Sequence, residues 1–295
     1  MSSLHAALAE FIEQEQLPET YRDTVEQWFI PLAEDILRRV AVNEGPFVLG
    51  INGCQGSGKS TLAALLVILF QEMTGIKSIN LSLDDFYLTR AERKTLAEQV
   101  HPLLMTRGVP GTHDVPLAMD IIAALKSGEP VAIPRFDKAT DERFAANLWP
   151  QIKAPVDVII MEGWCLGVRA QKPHELQKPL NILEAEEDAE GLWRTYVNEK
   201  LEHEYRGFFG LLDMLVMLRA PGFERVIDWR LQQEEKLAAR VENKNTKRIM
   251  SRDQLIRFIS HYERLTRHAL STLPDQADVV LQLRQDQSIE AKLKG

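Results

Sequence analysis

The sequence predicts an α/β fold in which a mainly parallel sheet carries helices on both faces. Five short apolar runs, at 47–51, 78–82, 156–161, 214–218 and 277–283, alternate with segments of helical periodicity. Several runs are almost continuously apolar, as expected for strands buried on both faces, and the alternation of strands and helices is typical of a parallel sheet. No Gly/Ser-rich or Pro-rich linker and no internal repeat divides the chain, so we expect one domain with insertions.

Helical segments precede and interrupt these strands. Residues 4–12 and 21–40 carry apolar side chains at helical spacing, which predicts a helical extension over 1–44 that packs on the main domain over 45–295. A helical insertion is expected around 168–210. Its acidic cluster, which is predicted to be a solvated helix face, consists of Glu184, Glu186, Glu187, Asp188 and Glu190.

Composition and charge limit the partners that the chain can have. It has 295 residues, 45% apolar and 26% charged, and its 35 basic and 43 acidic side chains give a formal net charge of −8. Such a chain is not expected to bind nucleic acid or anionic membranes, so an anionic small ligand would need a local basic site. The longest apolar run, 62–70, has nine residues, and no secretory-signal pattern precedes it, so we expect a cytoplasmic protein. Two cysteines 111 positions apart and scattered histidines offer no zinc-site spacing.

A glycine-rich loop follows the first predicted strand. Gly53, Gly58, Lys59 and Ser60 fill the pattern G-x-x-x-x-G-K-S/T between a predicted strand and a predicted helix, the context that this motif requires. A phosphate chain has to lie within hydrogen-bond distance of successive backbone N–H groups, which requires a tight loop at the positive end of a helix. Lys59 then provides a point charge to the outer phosphates, and the Ser60 hydroxyl is placed to coordinate Mg²⁺. The predicted nucleotide-binding residues are Gly53, Gln55, Gly56, Ser57, Gly58, Lys59, Ser60 and Thr61.

Neighbouring features narrow the class of nucleotide-binding protein. GTPases read guanine with Asn-Lys-x-Asp, and the nearest string, 243–246, lacks the aspartate. The third apolar run is followed by a single carboxylate, Glu162, and then by Gly163, whereas motor and nucleic-acid ATPases usually have Asp-Glu at this point. Glu162 can hold Mg²⁺ through a water or polarise a substrate group without a hydrolytic pair. A GTP switch is therefore disfavoured.

Two carboxylates, Asp84 and Asp85, follow the second predicted strand. Ligands of open α/β sheets bind beyond the carboxyl ends of the strands, so both aspartates should face the same crevice as the glycine-rich loop. A carboxylate there can accept the proton of an attacking hydroxyl, as a kinase base must. A turn or helix N-cap is the alternative, and we expect it for Asp85.

The combination of these motifs resembles the P-loop kinases of the uridine kinase, phosphoribulokinase and pantothenate kinase group. Four stretches are more closely similar to the plant-type D-glycerate 3-kinases and their fungal and bacterial relatives: SLDDFYLT (82–89), RGVPGTHD (107–114), PRFDK (134–138) and EGWCLG (162–167). The similarity runs from about residue 45 to the end and includes WRLQQE (229–234) and YERLT (262–266).

The resemblance implies the P-loop nucleoside-triphosphate hydrolase fold, with five parallel strands in the order 2-3-1-4-5. It also implies ATP with Mg²⁺ in the glycine-rich loop, Asp84 as the base, and Glu162 with Ser60 at the metal. A lid around 222–248 is implied as well, whose arginines would meet the transferring phosphate and whose closure would exclude water. Arg225 and Arg230 are the lid candidates, with Arg230 expected in catalysis beside Lys59, Asp84 and Glu162. Further basic residues of the segment are Arg240, Lys247 and Arg248.

Glycerate, as the acceptor, would add a carboxylate to the charge of ATP, so its pocket has to be basic. Arg135 and Lys138 are the first candidates for that carboxylate, because arginine in particular can bind both carboxylate oxygens. His113 with Asp114 is expected to hold the acceptor's hydroxyls. The full predicted acceptor site is Asp84, Tyr87, Arg107, His113, Asp114, Arg135 and Lys138.

The sequence therefore favours an ATP-dependent kinase that phosphorylates D-glycerate to 3-phosphoglycerate. Two alternatives remain open at this point. One is the same chemistry on another small alcohol, such as a nucleoside, a sugar phosphate or pantothenate. The other is a nucleotide-binding regulator with slow hydrolysis.

Overall fold

The fold is built on a six-stranded sheet. The computed structural model describes residues 2–153, 155–240 and 250–295. Its strands are β1 (Phe47–Gly53), β2 (Ser78–Ser82), β3 (Val131–Ala132), β4 (Phe136–Asp137), β5 (Glu142–Arg143), β6 (Gln151–Ile152), β7 (Val158–Gly163), β8 (Met214–Arg219), β9 (Val279–Leu283) and β10 (Ile289–Lys294). Its helices are α1 (Ser2–Gln14), α2 (Tyr21–Thr24), α3 (Ile30–Val40), α4 (Lys59–Thr74), α5 (Arg90–Gln99), α6 (Val115–Ser127), α7 (Ile182–Glu187), α8 (Leu192–Lys200), α9 (Arg206–Phe209), α10 (Phe223–Arg240) and α11 (Arg252–Thr272).

The strand order of this sheet is β10-β9-β8-β1-β7-β2. The five strands predicted from the sequence are β1, β2, β7, β8 and β9, and all neighbours among them pair in parallel. The expected order 2-3-1-4-5 is thus confirmed. The sixth strand, β10, runs antiparallel to β9 and was not predicted. Two further antiparallel pairs, β3 with β6 and β4 with β5, form small sheets of their own.

Three chain segments come together at the carboxyl ends of the strands of this sheet. All seven residues of β1 are buried, as expected for the middle of a doubly covered sheet. The buried side-chain amide of Asn52 donates from Nδ2 to the backbone oxygens of Trp164 (3.2 Å) and Leu166 (2.8 Å), which ties the end of β1 to the loop after β7. The carboxyl ends of β1, β2 and β7 therefore place the glycine-rich loop, Asp84 and Glu162 on the same side.

The N-terminal helices cover α4 on one face of the sheet. α1 and α3 both contact α4. Leu8, Phe11 and Ile36 share one hydrophobic cluster with Leu65 and Leu69 of α4, and all of these side chains are buried. Helix α4 is consequently apolar over most of its circumference, because it lies between the sheet and a second layer of helices. The division of the chain at residues 44 and 45 stays a prediction.

The acidic cluster of the insertion does not form the solvated face that the sequence predicted. Glu186, Glu187 and Glu190 are exposed, but Glu184 is fully buried and Asp188 nearly so. Arg264 of α11 donates two hydrogen bonds to the Glu184 carboxylate, at 2.7 and 2.6 Å. Arg194 of α8 lies 2.9 Å from the Asp188 carboxylate. Each buried carboxylate thus has a buried arginine partner, as a buried charge requires. Arg264 is 80 positions from Glu184, whereas Arg194 is only six positions from Asp188.

Glu184→Gln is expected to lower the free energy of unfolding by about 3 kcal/mol, because the exchange leaves the buried Arg264 guanidinium without a counter-charge. Urea unfolding followed by circular dichroism measures the change. The matched control is Glu187→Gln in the same helix, whose pair with Arg257 is exposed on both sides and should cost less than about 1 kcal/mol. Equal effects of the two exchanges would show that burial of the Glu184 pair does not contribute.

In the described residues, no helix combines the length and the apolar character that a membrane span needs.

Candidate active site

The glycine-rich loop lies between β1 and the first turn of α4. Gly56 and Gly58 adopt positive φ angles of 80° and 86°, a region that side chains disfavour. Gly56 also lies against helix α10, because a β-carbon built on it would approach the Trp229 β-carbon to 2.7 Å. On its other side, Gln287 Nε2 donates to the Gly56 backbone oxygen at 2.8 Å. The loop is therefore packed between α10 and the turn that joins β9 to β10.

Gly56→Ala is expected to lower affinity for ATP about 10-fold or more, because both the positive φ and the contact with Trp229 would force the loop out of shape. Isothermal titration with ATP and Mg²⁺ measures this affinity. Gly128→Ala is the matched control: Gly128 also has a positive φ (79°), but it ends α6 and has nothing within 4 Å of the added carbon. A similar loss of affinity in both variants would contradict the contact argument.

Glu162 is the buried carboxylate at the end of β7 and lies beside the start of α4. Ser60 Oγ donates to its Oε1 at 2.9 Å, and Lys59 Nζ lies 3.7 Å from its Oε2. Oε2 is buried and accepts no hydrogen bond. Burial opposes a charge on Lys59, but Glu162 and Asp84 raise its pKa above the ordinary value. A hydroxyl and a carboxylate oxygen with a free lone pair are hard oxygen donors, which suit Mg²⁺.

Mg²⁺ bound with a nucleotide needs few protein ligands, because phosphate oxygens and waters complete its octahedral shell. Among the described residues, no group of three or more His, Cys, Asp and Glu side chains could hold a metal ion by itself. Ser60 and Glu162 thus fit a site in which protein and phosphate oxygens bind Mg²⁺ together.

Asp84 lies in the short turn that follows β2, and both of its carboxylate oxygens have a partner. Tyr87 donates from its hydroxyl to Oδ1 at 2.6 Å, and Lys138 Nζ lies 2.5 Å from Oδ2. Burial by itself would raise the pKa of Asp84, but Lys138 and Lys59 together with these hydrogen bonds hold it well below its usual range. Asp84 is therefore an anion that faces Lys59 across the site.

These residues line a cavity of about 330 Å³ at the carboxyl edge of the sheet. Nine of the predicted site residues line it: Gln55, Gly56, Lys59, Ser60, Asp84, Tyr87, Arg107, Lys138 and Arg230. Its remaining lining residues, Trp164, Phe258 and Tyr262, are aromatic and were not predicted. Tyr262 packs edge-on against Trp164 at 4.9 Å and donates from its hydroxyl to the Arg107 backbone oxygen at 3.0 Å. We call this space the acceptor cavity.

Three predicted acceptor residues lie outside this cavity. His113 is buried, its Nδ1 lies 2.6 Å from the Tyr205 hydroxyl, and burial lowers its pKa to about 4. Asp114 accepts from the Leu117 backbone at the start of α6 and also pairs with Arg143 at 3.2 Å.

Arg135 pairs with Asp85 at 2.9 Å and does not line the cavity. Asp85, for which a turn or a helix N-cap was expected, lies in the short turn after β2 and accepts from the Phe136 backbone N–H at 3.1 Å. The structure thus places His113, Asp114 and Arg135 outside the cavity lining. Asp114 and Arg135 bind protein partners, whereas His113 binds Tyr205 through Nδ1 and its buried Nε2 has no partner. A role of the three in acceptor binding stays a prediction.

A second cavity, of about 450 Å³, lies on the other side of the glycine-rich loop. The loop contributes Gly56, Ser57, Gly58 and Thr61, and Trp229 and the turn at 286–288 provide another wall. The N-terminal extension contributes several residues between Glu15 and Thr24. Gly53, the first glycine of the motif, lies within β1 opposite Leu218 of β8. The N-terminal helical segment therefore reaches the glycine-rich loop, a contact that the sequence did not indicate.

The predicted lid is described in part. Helix α10 begins at Phe223, places Arg230 in the acceptor cavity, and leaves Arg225 in an exposed pair with Asp228 at 2.9 Å. Lys247 and Arg248 lie outside the described residues, as do the rest of 241–248 and the side chain of Arg240.

Comparison with known proteins assigns the chain to a family. Residues 48–177 match the phosphoribulokinase/uridine kinase family. An uncharacterised kinase of Schizosaccharomyces pombe, mug58, is 37% identical over 229 residues, which span 74% of this chain and 78% of that protein. The chain belongs to the phosphoribulokinase/uridine kinase family. It is therefore an ATP-dependent phosphotransferase of the P-loop kinase fold, with a small molecule as acceptor.

Two of the similar proteins are named as D-glycerate 3-kinases, and others are named as pantothenate kinases. The chloroplastic D-glycerate 3-kinase of Arabidopsis thaliana is 32% identical over 228 residues, which span 74% of this chain and 46% of that protein. The solved structure of D-glycerate 3-kinase from Cryptococcus neoformans superposes with a TM-score of 0.75 at 25% identity, over 91% of this chain and 98% of that chain. The fold of this kinase thus agrees with that of a relative over nearly the full length of both.

Proposed function

We propose that this kinase transfers the γ-phosphoryl group of ATP to a hydroxyl of D-glycerate and forms 3-phosphoglycerate. The observation that carries the proposal is the arrangement in the acceptor cavity: Asp84 pairs with Lys138 and interacts electrostatically with Lys59, and Arg107 lines the same cavity. A base next to cations suits an acceptor that has both a hydroxyl and a carboxylate. Similarity to the two D-glycerate 3-kinases supports the choice among hydroxy acids.

For the nucleotide, we propose that ATP lies across the glycine-rich loop. Its terminal phosphates would face Lys59 and Arg230 in the acceptor cavity, and its nucleoside would occupy the second cavity beyond Thr61. The first N–H groups of α4 have no partner inside the helix and lie at its positive end, which favours phosphate oxygens. Ser60 and Glu162 would hold Mg²⁺, which supplies charge neutralisation on the phosphates during transfer.

Phosphoryl transfer passes through a loose transition state, so the chain mainly aligns the reactants and neutralises charge. In the proposed reaction, the acceptor hydroxyl oxygen forms a bond to the γ-phosphorus while the bond from phosphorus to the bridging oxygen breaks and ADP departs with its electrons. The hydroxyl proton passes to the Asp84 carboxylate. Lys59 and Arg230 neutralise charge on the transferred group, and Trp164, Phe258 and Tyr262 limit the access of water.

Measurement of ADP release from ATP and Mg²⁺ across a panel of acceptors tests this function. The panel contains D-glycerate, uridine, pantothenate and a sugar phosphate. We expect strong stimulation by D-glycerate alone. Stimulation by uridine or pantothenate and not by glycerate would leave the kinase class intact and overturn the acceptor. If no acceptor raised the rate above the basal value, a regulator with slow hydrolysis would be favoured.

The cytoplasmic location stays a prediction.

A further inference from the structure

We propose that Lys138 makes the base available only to an anionic acceptor: the acceptor's carboxylate draws the Lys138 ammonium away from Asp84, and Asp84 then accepts the hydroxyl. This inference rests on the proposed function and adds to it a reason why a neutral alcohol would be a poor substrate. Its starting point is that neither carboxylate oxygen of Asp84 is free of a donor, since Tyr87 occupies Oδ1 and Lys138 occupies Oδ2.

The two partners of Asp84 differ in how readily they can leave. Tyr87 is buried, its ring stacks on His113 at 4.7 Å and packs edge-on against Phe136 at 5.1 Å, so its hydroxyl is fixed. Lys138 has a side chain that is 60% exposed. A long, flexible and largely solvated ammonium can exchange one carboxylate for another at little cost.

Arg107, another cation that lines the cavity, is not suited to such an exchange. Arg107 forms an ion pair with Asp141 and lies over the Phe136 ring, 5.4 Å from its centre. Asp141 is held in addition by the buried Arg93 at 3.0 Å. Arg107 is thus held in place by its ion pair and its ring contact, so its positive charge keeps a fixed position in the cavity lining.

The backbone that presents Lys138 is anchored, so only the side chain has to move. Lys138 lies in the turn between β4 and β5. The start of this hairpin is held by the hydrogen bond from the Phe136 backbone to Asp85. Within the turn, Asp137 accepts from the Ala139 N–H at 2.8 Å and from the Thr140 hydroxyl at 2.7 Å. A rigid turn with a mobile ammonium above the base is the geometry that the exchange requires.

The charge of the acceptor decides whether Asp84 is released from Lys138 and can act as the base. A carboxylate on the acceptor replaces Asp84 as the counter-ion of Lys138, so the site loses no ion pair when Asp84 turns to the hydroxyl. A neutral alcohol brings no replacement, and Asp84 remains paired. The phosphoryl transfer itself is unchanged: the hydroxyl proton goes to Asp84, the new bond forms to the γ-phosphorus, and ADP leaves.

Steady-state kinetics with D-glycerate and with glycerol, which lacks the carboxylate, tests the exchange in Lys138→Met and Lys138→Arg. For Lys138→Met, we expect kcat/KM for glycerate to fall about 10- to 100-fold, because a charge-assisted hydrogen bond to the carboxylate is lost. Turnover of glycerol is expected to rise roughly three- to fivefold, the effect of removing one partly exposed ion pair from the base. In Lys138→Arg, kcat/KM for glycerate should return toward the wild-type value, and turnover of glycerol should stay slow. Lys94→Met, which removes an exposed cation paired with Glu98 on α5, is the control for surface charge.

The outcomes separate this inference from the proposed function. Absence of glycerate-dependent turnover in the wild type would overturn the function and the inference with it. If the wild type uses glycerate but glycerol turnover is unchanged in Lys138→Met, Lys138 only binds the carboxylate and the exchange is contradicted. A parallel loss for both acceptors would assign Lys138 a merely structural role and would contradict the exchange as well.

Discussion

Asp84→Asn lowers kcat with D-glycerate roughly 10²- to 10⁴-fold, the usual contribution of a positioned base, while affinity for ATP does not weaken. Asparagine keeps the size of the side chain, and its amide oxygen can still accept from the Tyr87 hydroxyl at the position of Oδ1. The NH2 group that replaces Oδ2 can only donate, so the Lys138 ammonium loses its acceptor. Asparagine cannot take up the hydroxyl proton. Because Asp84 faces Lys59 and carries a negative charge, its neutralisation also removes a repulsion of the incoming phosphates.

Kinetics at saturating ATP and acceptor, combined with titration calorimetry for ATP, measures both quantities. Asp120→Asn provides the control, because Asp120 is an exposed carboxylate on α6 away from the cavity. If Asp84→Asn retained wild-type kcat, or if ATP affinity fell in proportion to kcat, the assignment of Asp84 as base would be contradicted.

Lys59→Met is expected to lower kcat/KM for ATP about 10³-fold, the size of effect found when one preorganised donor to developing charge is removed. Lys59 is 15% exposed at the start of α4 and lies between the Glu162 and Asp84 carboxylates. Methionine preserves the length of the chain but brings no positive charge to the outer phosphates. It also leaves Glu162 with less compensation, so binding of ATP with Mg²⁺ should weaken together with turnover.

Titration of ATP in the presence of Mg²⁺, followed by steady-state kinetics on the same preparation, checks this expectation. Lys77→Met removes an exposed lysine next to β2 and should leave both values near those of the wild type. An unchanged kcat/KM in Lys59→Met would exclude the glycine-rich loop as the phosphate site.

The features that the sequence predicted are those that depend on a few consecutive residues. The glycine-rich loop needs only eight consecutive positions between a strand and a helix, and the five parallel strands are visible as apolar runs. β10 was missed because it is not an apolar run like the other five strands: its residues alternate between apolar and charged side chains, the pattern of a half-exposed strand at the sheet edge. Strand order came from family resemblance, since nothing local determines which strands become neighbours.

The sequence did not show which residues, far apart along the chain, come together in the fold. Spacing alone could not show that Arg135 pairs with Asp85, or that Asp114 caps α6 and pairs with Arg143, which removes both from the acceptor cavity. Trp164 and Tyr262 lie almost 100 positions apart and meet only in the fold, so they were recognised as parts of motifs and not as cavity walls. The burial of Glu184 likewise depends on Arg264, 80 positions away.

The transfer of label from [γ-³²P]ATP tests the central claim most directly. With D-glycerate present, we expect the label in 3-phosphoglycerate, separated by anion exchange from 2-phosphoglycerate and from inorganic phosphate, and no transfer by Asp84→Asn beyond a trace. Label that appeared only in inorganic phosphate, or transfer to another acceptor of the panel in preference to D-glycerate, would contradict the account.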